Sequence, residues 1–376
     1  MHTSIVHSFE TFEQSPMLGV LVKRSYRIEP GARATPLQDQ PEVYADAVED
    51  EVAGSESFAV HETDWFAFLR PRTDVLLRGS AHSPRGNVTS VTTSVRVGES
   101  HKRIRAQGDR RLRVTGVDRL DATAAEGFSC LPIDWPYAYG GRDRRAEALI
   151  DADPNASEID KLGVCTYPRN PAGRGFMIDA ERDRLEGLLL PNLDDPVDPV
   201  EPERLLAKSP LDWIDRPVAA SYGPIGIQTF PRCMFYLLRP DWSPAARPIR
   251  ELSLGWLAEQ DLREPTTLLA PIDPRLACTA PAGLAACRLE GHERVELENL
   301  HREHSRLEFD LPAERPRLFI EPSNVPRREL YATLQTLLIE PDQDRITLTW
   351  TGAMPVAAVF PESMCQEMNH AVSFER

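Results

Sequence analysis

Apolar and polar side chains alternate with a period of two over much of both ends of the chain. In 88–97, Val91, Val95 and Val97 fall on one face while Ser90, Thr92, Ser94 and Arg96 fall on the other, the pattern of a half-buried strand. Gly98-Glu99-Ser100 is turn chemistry, and 102–107 then sets Ile104 and Ala106 opposite Arg103 and Arg105. A second turn at Gly108-Asp109-Arg110 leads into 111–114, which predicts an antiparallel meander with one wet face. Strands are also expected at 17–28, closed by Glu29-Pro30-Gly31, and at 65–69 and 74–79. Towards the end they return at 294–300, 306–311 and 317–321. There 330–340 and 345–350 flank Pro341-Asp342-Gln343-Asp344, a hairpin by composition. Helical spacing is rarer. Ile249, Leu252, Trp256 and Leu257 suggest a helix over 247–263, weakened by Gly255, and a short one is expected at 361–368. The acidic tract at 42–56 reads as a solvated excursion with a short helix at best.

Neither period fits 131–192. Aromatic residues there interleave with glycine and proline in Trp135-Pro136-Tyr137-Ala138-Tyr139-Gly140-Gly141-Arg142, Asn170-Pro171-Ala172-Gly173-Arg174-Gly175-Phe176 and Leu190-Pro191-Asn192. Glycine reaches backbone angles closed to other residues, and proline fixes φ and removes a donor. This is the composition of a long ordered loop, a feature that in compact domains usually serves function. Eleven prolines between 191 and 248 confine any helix there to a few turns. The fold class is therefore mainly β: two antiparallel layers or sandwiches joined by a long proline-rich, largely irregular central segment. The corresponding division is 1–126 (antiparallel β), 127–290 (proline- and glycine-rich connection with short helices) and 291–376 (antiparallel β). No internal repeat points to a solenoid or propeller.

Composition adds exclusions. The 376 residues include 33 prolines, nearly twice the usual share of roughly 5%. A net charge of −15 makes duplex nucleic acid and anionic membranes poor partners. The six cysteines contain no CxxC pair and read as reduced thiols. The first ten residues lack the basic and apolar regions of a signal peptide. The longest uncharged run, near 218–231, is broken by glycine and proline and is too short to span a bilayer. A soluble, cytoplasmic protein is expected, and nothing in the pattern assigns an oligomeric state.

Candidate chemistry is sparse. Asp151-Ala152-Asp153-Pro154-Asn155-Ala156-Ser157 resembles a calcium loop, but Ala156 and Leu162 stand where glycine and glutamate are needed. It reads as a solvated turn. His301 and His304, with His292 upstream, would point to opposite faces of a strand, so no metal or other cofactor is expected. Gly140-Gly141-Arg142 and Gly173-Arg174-Gly175 could present backbone N–H groups to an anion. Neither follows a strand and opens a helix, so tight turns packed under aromatic rings are favoured. Adjacent acids such as Asp194 and Asp195 usually face water. No nucleophile elbow or other catalytic motif occurs. Among the central rings Trp135 reads as core, whereas Tyr137, Tyr139 and Phe176 fit either core or a recognition surface.

Spaced motifs resemble one family across nearly the whole chain. Arg72-Thr73-Asp74-Val75 through Gly79 and Pro84 looks like its opening "TDV…G…P" block. Lys102 with Gly108-Asp109-Arg110 resembles its "K…V.GDR" step. The central stretches at 137–141, 170–176 and 190–192 resemble its "AFGG", "NPxGxGF" and "LPN" blocks. Ala280-Pro281-Ala282-Gly283-Leu284, then Gly291, Glu293, Val295, Leu297, Asn299 and Leu300, and Leu311-Pro312 are similar to a later block. Pro341-Asp342 and Trp350-Thr351-Gly352 resemble its closing hairpin. The family is domain of unknown function 2169, found beside PAAR and VgrG spike proteins in bacterial type VI secretion clusters. Two departures stand out: Arg111-Leu112 where an aromatic usually follows "GDR", and the segment around Phe230-Pro231-Arg232. The resemblance implies a cytoplasmic chaperone or adaptor, without catalytic residues. Its partner would be an effector with a PAAR-like segment, with VgrG as a second contact. Tyr137, Tyr139 and Phe176 are then the expected docking anchors, beside Arg142 and Arg174. The rival expectations are a carbohydrate-active β-sandwich hydrolase using a carboxylate pair, and a structural subunit of the secretion machine.

Overall fold

The computed structural model describes residues 1–11, 15–43, 48–51, 58–62, 69–83, 86–115, 119–151, 165–178, 185–207, 216–226, 229, 277–322 and 326–375. The N-terminal part supplies β1 (Thr3–Glu10), β2 (Pro16–Arg27), β3 (Thr35–Pro36), β4 (Val48–Glu51), β5 (Phe58–Glu62), β6 (Asp74–Leu77) and β7 (Ser80–His82). There follow β8 (Ser90–Val97), β9 (Ser100–Gln107), β10 (Leu112–Thr115), β11 (Arg119–Ala122) and β12 (Cys130–Pro132). The centre carries the two-residue strands β13 (Tyr139–Gly140), β14 (Arg174–Gly175), β15 (Met177–Ile178), β16 (Leu193–Asp194) and β17 (Leu206–Ala207), with the helix α1 (Arg144–Asp151). The C-terminal part gives β18 (Arg294–Glu298), β19 (Arg306–Asp310), β20 (Arg315–Glu321), β21 (Arg328–Leu330), β22 (Thr333–Glu340), β23 (Arg345–Pro355), α2 (Glu362–Gln366) and β24 (Asn369–Glu375).

The protein is mainly β, built from several antiparallel sheets, as its alternation predicts. One large sheet runs β1-β2-β23-β22-β6 with β3 added to β2, and its β6–β22 pair is parallel. The second runs β16-β9-β8-β18-β19, and the third is β21-β20-β24. Strands from 1–126 and from 291–376 share both large sheets, so the two ends of the chain close on one core. Val20, Val22, Leu348 and Trp350 meet Val95, Ile104, Leu297, Phe309, Leu318 and Ile320 in a single apolar cluster. Each such side chain, fully removed from water, contributes about 1.5–3 kcal/mol.

Local chemistry explains the turns. Gly98 takes φ 56° and joins β8 to β9, whose pairing runs from Val97↔Ser100 to Ser90↔Gln107. Pro341 opens the short 3-10 turn between β22 and β23, and Asp344 ends it in the left-handed region at φ 50°. The meander expected beyond β9 stops there. After the Gly108 turn β10 pairs with β11, and β9 takes β16 as its other neighbour. The described part of the acidic tract is also extended, since β4 pairs with β5 where a short helix at best was expected. The helix expected at 247–263 and most of the strand at 65–69 lie outside the described residues, as do 152–157 of the calcium-like loop and the departure at 230–232. The five described cysteines are free thiols. No described helix is long and apolar enough to cross a membrane.

Candidate partner-docking site

The central motifs, up to 85 residues apart in sequence, meet at the β16 margin of the second sheet. Asp134 begins the junction by capping the 3-10 turn Trp135–Tyr137, its Oδ1 accepting from Trp135 N at 2.8 Å. The chain then enters β13, which lies parallel to β14. Arg174 N donates to Ala138 O and Phe176 N to Gly140 O, both at 3.0 Å, while Gly141 N reaches Asn170 O at 2.8 Å. The approach is close because of the glycines. A Cβ on Gly140 would lie 2.2 Å from Asn170 O, and one on Gly173 2.7 Å from Ala138 O. Gly140 and Gly141 also hold φ of 146° and 101°, angles a side chain resists.

Three polar side chains then bolt the blocks together. Buried Asn170 donates from Nδ2 to Trp135 O at 2.8 Å and to Tyr139 O at 3.1 Å. Arg174 donates from Nε to Pro136 O at 2.7 Å and from a terminal nitrogen to Asn192 Oδ1 at 3.0 Å. Asn192 in turn donates from Nδ2 to Gln107 O at 3.0 Å and to Asp109 Oδ1 at 2.8 Å. The "GDR" step therefore touches the "LPN" block, which touches the "NPAGRGF" block. Arg110 adds a hydrogen bond to Pro191 O at 2.9 Å. An Asn among glycines and prolines signals side-chain bonding to backbone, but sequence alone does not show which carbonyls it serves.

The expected anchors divide by burial. Tyr139 is fully buried and Phe176 is 4% exposed, both against Tyr167 at ring separations of 4.9 and 5.5 Å from it. The Tyr139 hydroxyl donates to Leu205 O at 2.9 Å, and burial pushes its pKa well above the usual phenol value. Tyr139 and Phe176 therefore hold the junction to the body and offer no surface to a partner. Trp135 is core, as its pattern implies, with Nε1 donating to Pro224 O at 2.9 Å. Tyr137 is half-buried, and the Arg174 guanidinium stacks over its ring at 4.6 Å from the centroid. Burial lowers the Arg174 pKa. Arg142, also half-buried, lies at an isolated bridge to Thr166. The accessible face is thus Tyr137 with parts of Arg174 and Arg142.

Other candidates resolve into structural roles. Asp194, expected to face water, is 1% exposed because β16 inserts beside β9. It takes two hydrogen bonds from Arg105, at 3.0 and 2.7 Å, and the bond raises the arginine's pKa. Asp74 of the opening motif is fully buried, and its Oδ2 accepts from Thr279 N at 2.6 Å and Thr279 Oγ1 at 2.8 Å. His301 accepts on Nδ1 from the N–H groups of Glu303 and His304 at 3.1 and 3.2 Å. Its proton therefore sits on Nε2, which faces Asp344 Oδ1 at 3.0 Å and ties two turns together. Among the described residues no group of three or more His, Cys, Asp or Glu is placed to hold a metal ion.

Comparison with known proteins gives one match. The sequence model of the family described as "Uncharacterized protein conserved in bacteria (DUF2169)" covers residues 13–351. No curated protein and no solved structure matches the chain. The chain belongs to the DUF2169 family.

Proposed function

We propose that this DUF2169 protein is a cytoplasmic chaperone or adaptor. In this reading it binds a PAAR-linked type VI secretion effector and assists its loading onto the VgrG spike. The observation that supports the reading is the use made of the motif side chains. Asn170, Arg174 and Asn192 direct their donors to main-chain carbonyls and to one another. Motifs used in this way preserve a shape, and a rigid shape carrying a half-buried aromatic–arginine pair at its surface suits a protein partner. Tyr and Arg are the side chains most enriched at interface hot spots, and Tyr137 stacked under Arg174 presents that pair.

The hydrolase reading draws less support from the same residues. A glycosidase holds two carboxyl groups facing each other across a cleft. Buried Asp74, Asp194, Glu314 and Glu340 instead each lie against an arginine, namely Arg70, Arg105, Arg24 and Arg345. Co-expression with the effector encoded beside it, followed by pull-down, tests the adaptor reading. The wild type is expected to capture the effector, and a folded Tyr137→Ala/Arg142→Ala variant to lose it. Capture of no effector or spike component by the wild type would end this reading. Recovery of the protein as a stoichiometric part of the purified secretion machine would favour a structural subunit.

A further inference from the structure

Among the described residues, the outer edges of the two large sheets are covered. Residues 31–34 close the edge of β19, with Ala34 N donating to Asp310 O at 2.9 Å and Asp310 N to Ala32 O at 3.0 Å. The junction closes β16 through the Ala138↔Leu193 bridge. Leu284 O and Tyr222 O close β6 by accepting from Val75 N and Leu77 N at 2.8 and 3.1 Å. Along β1 lies α2.

The seven-residue strand β24 differs. It pairs with β20 without a bulge, from Arg315↔Glu375 to Glu321↔Asn369, and its other edge makes no main-chain hydrogen bond to a described residue. Its contacts with the first residues of the chain are side-chain ones, Ser4 Oγ to His370 Nε2 at 3.0 Å and the His2 ring 5.6 Å from that of Phe374. It also lacks the usual protections of an edge, since Asn369-His370-Ala371-Val372-Ser373-Phe374-Glu375 holds no lysine, proline or bulge. Val372 and Phe374 pack against the core yet stay half-exposed. A strand laid against this edge would complete their cover.

We propose that the occupant is a second copy of the chain, joined β24 to β24 in antiparallel pairing about a two-fold axis at Val372. Because successive side chains alternate faces, only registers shifted by two keep the same faces together. Of these, the register centred on Val372 is the one that pairs all seven residues. It sets Val372 on Val372, His370 on Phe374, Ala371 on Ser373 and Asn369 on Glu375. The Val372 self-pair and the His370–Phe374 pair fall on the face that carries Val372 and Phe374, the small Ala371–Ser373 pair on the wet face, and no like charges oppose each other. The interface is isologous and closes at two copies. It does not depend on the adaptor reading.

Light scattering coupled to size exclusion tests the proposal with two variants on the exposed face. The wild type is expected at twice 42.2 kDa at micromolar concentration and above. Ala371→Glu/Ser373→Glu places glutamates opposite each other across the axis and is expected to give monomer. Ala371→Lys/Ser373→Glu keeps Glu opposite Arg317 within each copy but pairs Lys with Glu across the axis, and is expected to restore the dimer. A monomeric wild type, or a glutamate pair variant that stays dimeric, overturns the proposal. A Lys/Glu variant that folds but stays monomeric overturns the register.

Discussion

The second sheet and the junction at its margin share an edge but are held by different means. In the sheet, Val95, Val97, Ile104, Val295 and Leu297 face the core, while Arg96, Arg103, Arg294 and Glu298 face water. Each buried position contributes through apolar area, and neighbours can partly fill a loss. In the junction, glycine backbones pass closer than a Cβ permits, and Asn170, Asn192 and Arg174 supply donors that nothing nearby replaces. The sheet should therefore respond to mutation in graded steps and the junction in single large ones.

The largest effect is expected at Gly140. In Gly140→Ala the new methyl lies 2.2 Å from Asn170 O, so backbone must move, and a cost above about 4 kcal/mol is expected. Gly31→Ala isolates the conformational part. Gly31 also has a positive φ, 71°, but nothing lies within 4 Å of the new atom, so about 1 kcal/mol is expected. Chemical denaturation of both variants measures the difference. Equal losses would show that the close approach carries no special weight.

Smaller effects sharpen the sheet side. Ile104→Ala removes a fully buried side chain from β9 and is expected to cost about 2–5 kcal/mol. Arg306→Ala, on the wet face of β19, loses exposed ion pairs with Glu296 and Glu308 and is expected to cost at most about 1 kcal/mol. The same denaturation midpoints report both. A surface variant as damaging as the core one would contradict the two-faced reading of the sheet.

The legible part of the fold was the part written in periods. β2, β8, β9, β18, β19 and the β22–β23 hairpin follow directly from alternation and turn residues. β24 carries no such signal because its sequence is short and largely polar, with five of its seven residues exposed. β16 has only two residues, and its place beside β9 depends on a contact 87 residues away. The same distance hid the burial of Asp194. Within 131–192, glycine, proline and aromatic content marks the blocks that the structure brings together in the junction. It could not separate Tyr137, which reaches the surface, from Tyr139 two residues on, because no period orders side chains in an irregular backbone.

Asn170, Arg174 and Asn192 join the "GDR", "AYGG", "NPAGRGF" and "LPN" blocks into one mechanical unit. Native-state hydrogen exchange in Asn170→Asp tests it most directly, since the near-isosteric change removes both Nδ2 donors. Amides of Gly141, Arg174, Phe176, Asn192 and Gln107, all bonded across the blocks, are expected to lose protection by a common factor. Those of Val22 and Trp350 in the β2–β23 pair should keep theirs. Loss confined to Gly141 and its neighbours, with Asn192 and Gln107 still protected, would contradict the account.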